Sequence, residues 1–100
     1  MTRAELRAWF ESRRPIPPPT LRAHLARHAE DAPAVLPEHL AAQGCALLQR
    51  VLDRPDGARE LALDLLVADA LVTYAFEAQA EVDTRGLVSL AQRIAGGGGA

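Results

Sequence analysis

Lysine and asparagine are absent from this 100-residue chain, cysteine occurs once, and aromatic residues number four. With lysine missing, all eleven cations are arginine, a bias that GC-rich coding imposes, so arginine content alone carries no functional meaning. A lone Cys45 cannot close an internal disulfide, nor supply two thiolates to a zinc site of one chain, which points to a reducing, cytoplasmic setting. The N-terminus carries Glu5, Arg7 and Glu11 where a secretory signal needs an apolar run. The longest largely apolar stretches, such as residues 70–76, fall far short of the roughly 20 residues that a membrane span requires. Phosphate loops are missing too: the only glycine run, residues 96–99, has no strand before it or helix after it. No Gly-x-Ser-x-Gly elbow occurs, and neither Ser12 nor Ser89 has a histidine nearby in sequence. Cys45 lies between Gly44 and Ala46 in an Ala/Leu run, the setting of a buried inert thiol rather than of a nucleophile. The expected class is non-enzymatic, with no cofactor.

What is present is alanine (20) and leucine (15), with hydrophobic residues at 49% and charged residues at 24%, the balance of a folded globular chain. The length suits one domain with one modest core, expected over residues 1–95, followed by a flexible glycine-rich tail over 96–100. The net charge of −2 is unevenly divided. Residues 1–30 hold six Arg against three Glu, and residues 31–100 hold five Arg against ten acids. Either the basic segment packs on an acidic face of the same fold, or it forms an arm for an anionic partner. An isoelectric point near 5.9 and the lack of a clear helix-turn-helix signature argue against nucleic acid.

The spacing predicts helices throughout and no useful β-type alternation. Thr2-Arg3-Ala4-Glu5 is a capping-box pattern that opens a helix to about Arg13. The prolines at 15, 17, 18 and 19 stop it, and a second helix starts at Pro18 or Pro19 and runs to about Glu30. A third runs from Pro37 to about Asp53, with Leu40, Gly44, Leu47, Leu48, Val51 and Leu52 as an apolar stripe. Gly44 is unfavourable inside it by about 1 kcal/mol against alanine, which marks a close helix crossing. After an Arg54-Pro55-Asp56-Gly57 turn, a fourth helix spans about 58–82 and is apolar on nearly every side. Gly86 is expected to take a positive φ where that helix ends, and a short fifth helix covers about 87–95. The expected fold is an all-α bundle of four to five helices around a long apolar central helix. That helix carries more apolar surface than its short neighbours can cover, which predicts a homo-oligomer.

Three constellations invite chemistry. His24 and His28 stand one helical turn apart and could chelate a transition metal, although the His-Glu-x-x-His pattern is absent. Asp69, Thr73, Glu77 and Glu81 recur every four residues along the fourth helix. That line is a solvated face, a face paired with arginines of the first two helices, or a carboxylate ladder for a metal. The metal alternative combines His24 and His28 with Glu77 and Glu81, but lacks any Glu-x-x-His motif. Finally, Leu6, Trp9 and Phe10 with Arg3 and Arg7 have the composition of a helix that docks a partner, unless the aromatics fold back over the core. Residues 68–77, Ala-Asp-Ala-Leu-Val-Thr-Tyr-Ala-Phe-Glu, resemble a helix of the trans-isoprenyl diphosphate synthases. That family works through Asp-Asp-x-x-Asp motifs, and this chain has no Asp-Asp pair, so no site residue carries over.

Overall fold

A computed structural model of the chain describes residues 1–31, 35–54 and 59–96, apart from the side chains of Glu60 and Thr84. The expected turn at 54–57 and glycine tail lie largely outside the described residues. Among those residues the fold is all-helical, with α1 (Arg3–Glu11), α2 (Pro19–Arg27), α3 (Leu36–Leu52), α4 (Arg59–Val82), a 3-10 turn (Thr84–Gly86) and α5 (Leu87–Ala95).

Local chemistry sets the helix ends. The Thr2 hydroxyl accepts from the Glu5 amide at 3.2 Å, and the Glu5 carboxylate accepts from the Thr2 amide at 3.0 Å, completing the capping box. α1 stops at Glu11, two residues early, because the Arg13 amide turns to Phe10 O at 3.1 Å. The Arg13 side chain also binds the Trp9 carbonyl at 3.2 Å. α2 likewise tightens at its end, where the His28 and Ala29 amides donate to carbonyls three residues back. The freed His28 carbonyl accepts from Gln43 Nε2 of α3 at 2.6 Å, tying the two helices together.

α4 is the axis of the molecule: at 24 residues it is about 36 Å long, close to the 39 Å long dimension. α3 lies along it, α2 and α5 pack on its other sides, and α5 also touches α3. The core is wholly apolar, built from Leu6 and Phe10 of α1, Leu25 of α2, Leu40 and Leu47 of α3, Val67, Leu71 and Tyr74 of α4, and Leu90 of α5. Alanines 68, 75 and 78 keep α4 slim enough for its neighbours to close in.

Gly44 marks a close approach between α3 and α4. A Cβ there would stand 2.9 Å from Val72 Cγ2, 3.1 Å from the Ala68 carbonyl oxygen and 3.2 Å from Leu71 Cβ. Gly86 departs from expectation: it has φ −79°, an ordinary right-handed value. Glycine suits it because the Gln79 amide, which donates to the Asp83 carbonyl at 2.9 Å, occupies the space a Cβ would fill.

Gly44→Ala gains helix propensity of up to about 1 kcal/mol, but overpacking of this kind costs about 1–3 kcal/mol. We expect Gly44→Ala to lower the melting temperature and Gly44→Val to lower it further, measured by thermal denaturation followed by circular dichroism. A melting temperature that rises in Gly44→Ala contradicts the close crossing.

Candidate functional site

The N-terminal helix meets α4 through side chains alone, since no α-carbon of α1 comes within 8 Å of one in α4. Trp9, Phe10 and Tyr74 form a three-ring cluster with centroids 5.9–6.0 Å apart, and Trp9 meets each of the other two edge-on. Arg13 lies over the Trp9 ring at 3.7 Å from its centroid. Its Nη1 donates to Glu81 Oε1 at 2.9 Å and stands 3.6 Å from Glu77 Oε1. Trp9 Nε1 donates to the second Glu81 oxygen at 3.3 Å. One carboxylate thus receives donors from Trp9 of α1 and from Arg13 just beyond its end. The Arg13 side chain is only 12% exposed, so this charge is shielded by the rings beneath it and the carboxylates beside it.

The electrostatics follow that geometry. Hydrogen bonding from Arg13 holds the Glu81 carboxyl below its ordinary range, and Trp9 adds to the effect. Burial, with Glu77 beside it, raises the Tyr74 hydroxyl above its ordinary value. The acidic line on α4 therefore divides: Glu77 and Glu81 are paired with an arginine from the N-terminal region, while Asp69 and Thr73 are exposed.

The docking residues expected on α1 divide too. Leu6 is fully buried and Phe10 is 3% exposed, so both belong to the core. Trp9 is half-buried, and Arg3 and Arg7 stay at the surface. The metal candidates fall into two groups: Glu77 and Glu81 face Arg13, whereas His28, with His24 near enough to act on its ring, lies in a cleft beside Arg50 and Asp64. Burial, reinforced by Arg50, lowers the His28 imidazole from its ordinary value. Among the described residues, no group of three or more His, Cys, Asp and Glu side chains is placed to hold a metal ion. Arg13 was within reach of sequence reasoning, one turn from Trp9. Arg50 and Asp64 gave no linear signal because they meet only when α3 and α4 pack.

A second feature lies towards one end of the α3–α4 pair. Leu48 and Leu52 of α3 are 37% and 68% exposed, and Leu65 and Leu66 of α4 are 47% and 52% exposed. All four lie between the Gly44 crossing and the connection that joins the two helices, so they occupy one end of the pair. No protein-family model, curated protein or solved structure matches the chain. Among the described residues, no helix is long and apolar enough to cross a membrane.

Replacing Arg13 by Ala removes the guanidinium from Trp9, Glu77 and Glu81 together. We expect a loss of about 1–3 kcal/mol in urea unfolding, with Arg13→Lys failing to restore it because one ammonium cannot reproduce the planar fork. Because the Glu81 carboxyl is lowered on folding, its contribution is present above the ordinary carboxylate value and fades as pH falls through the lowered one. An acid titration of melting temperature should therefore be shallower in Glu81→Gln than in the unaltered chain.

Proposed function

We propose that the chain is a non-enzymatic helical interaction module that pairs with a second copy of itself through the exposed leucines of α3 and α4. The observation that carries this reading is the exposure of Leu48, Leu52, Leu65 and Leu66 towards one end of the helix pair, with Leu52 68% exposed. A twofold axis is the simplest way to bury such a face, because the same patch then serves both copies. Covering a half-exposed leucine contributes about 1 kcal/mol, so eight of them across the axis contribute on the order of 8 kcal/mol. That lies inside the range of about 4–15 kcal/mol that association costs, so the leucines alone favour a weak, concentration-dependent pair. The paired carboxylates, the buried Leu6 and Phe10, and the dispersed metal candidates all leave α3 and α4 as the better-supported contact surface. A reducing, cytoplasmic setting suits the single half-buried Cys45.

Light scattering coupled to size-exclusion chromatography tests the proposal over a concentration series. The mass should rise from 10.7 kDa towards twice that value with concentration, and Leu52→Glu and Leu65→Glu should hold it at the lower value with unchanged helicity. A mass of 10.7 kDa at every concentration overturns it.

A further inference from the structure

A half-open cleft of about 290 Å³ lies where the end of α2, the last turns of α3 and the first turns of α4 meet. Its floor is Leu47 and Leu61, 3% and 7% exposed, and its walls carry His28, Arg50, Arg54 and Asp64. The volume is at the lower edge of the range for small-molecule sites, room for an amino acid rather than a nucleotide.

Among the described residues, the Arg50 and Arg54 guanidinium groups and the Asp64 carboxylate form no hydrogen bond or ion pair with one another or with other side chains. Asp53, on the same wall, is held by Gln49 Nε2 at 3.0 Å. Arg50 and Asp64 act on the His28 ring in opposite senses, so both signs of charge reach the same space. A bare anion would satisfy the guanidinium groups but set a like charge beside the half-buried Asp64. A bare cation would meet Asp64 at the expense of two guanidinium groups. A molecule with both signs answers both walls and still offers an aliphatic body to the leucines.

We infer that this cleft binds a small zwitterion of the α-amino-acid class, its carboxylate against Arg50 and Arg54, its ammonium against Asp64, and its aliphatic body on Leu47 and Leu61. Arg50 also stands in the last turn of α3, where any cation steadies the exposed carbonyl end of a helix. That role affects stability but is indifferent to a ligand, so the two are separable. The cleft is lined by none of the four exposed leucines, and the inference is independent of self-association.

The test is an amide NMR titration of the whole chain at neutral pH with leucine, with isovalerate (the carboxylate alone) and with isopentylamine (the ammonium alone). Leucine should give saturable shifts around His28, Leu61 and Asp64, and each singly charged analogue should bind at least about tenfold more weakly. Asp64→Asn, with melting temperature as the check on folding, should bring leucine to the affinity of isovalerate. Arg50→Gln, in an exposed position, should weaken leucine and isovalerate together and serves if Asp64→Asn does not fold. Absence of saturable shifts with leucine overturns the inference, and so does equal binding of leucine and either analogue.

Discussion

The absent side chain of Gly44 sets the distance between the two longest helices, and most of the fold depends on that distance. With Ala68, Leu71 and Val72 against the Gly44 backbone, α3 and α4 lie close enough for Leu40 and Leu47 to pack directly on α4. A domain of this size removes a limited share of its surface from water, so a gap along its main helix pair would cost a large fraction of its stability. The alanines of α4 extend the same solution along its length, which explains how a helix rich in apolar residues finds cover from short neighbours on most sides. What remains uncovered on it includes Leu65 and Leu66 near its start and Val82 at its end.

Charge is handled separately. No charged or polar residue is buried among the described core residues, and the ion pairs of Arg13 and Arg93 lie at helix seams. The seam between α1 and α4 has no close backbone approach, so the rings of Trp9, Phe10 and Tyr74 bridge the space and Arg13 closes it over Glu81. The uneven charge of the chain thus has an internal use in part, since a basic residue of the first segment meets acids of the fourth helix. Arg3, Arg7 and Asp69 stay at the surface and show that the use is only partial.

The elements were legible because local chemistry dictates them. Thr2 and Glu5 announce a helix start, the prolines after Arg14 enforce a stop, and the glycine at position 44 announces a crossing that the packing delivers. The helix ends were less legible. α1 and α2 finish two or three residues early because hydrogen bonds to carbonyls three residues back take over, with Arg13 binding the Trp9 carbonyl in the first case and Gln43 arriving from α3 in the second. Gly86 misled for a similar reason: the need for glycine comes from the Gln79 side chain rather than from backbone conformation. The chemistry-bearing groups were the hardest to read. Glu77 and Glu81 stood out by spacing, but only folding shows that they share a cation. The cleft at His28 draws on three helices that the sequence keeps apart.

The attachment of α1 has a dynamic consequence. Backbone hydrogen bonds inside α1 are local, and its ties to α4 are the side chains of Trp9 and Phe10, with Arg13 just beyond its end, while it also packs on α2 and its Arg3 amide bonds to Asp31 at 2.8 Å. Helices three and four, by contrast, share a close backbone interface along their length. Where cooperative opening follows the weakest boundary, α1 is the element expected to leave first while the α3–α4 pair stays folded. Its departure would uncover Tyr74 and the inner face of α4, which makes the first helix a removable cover on the central one.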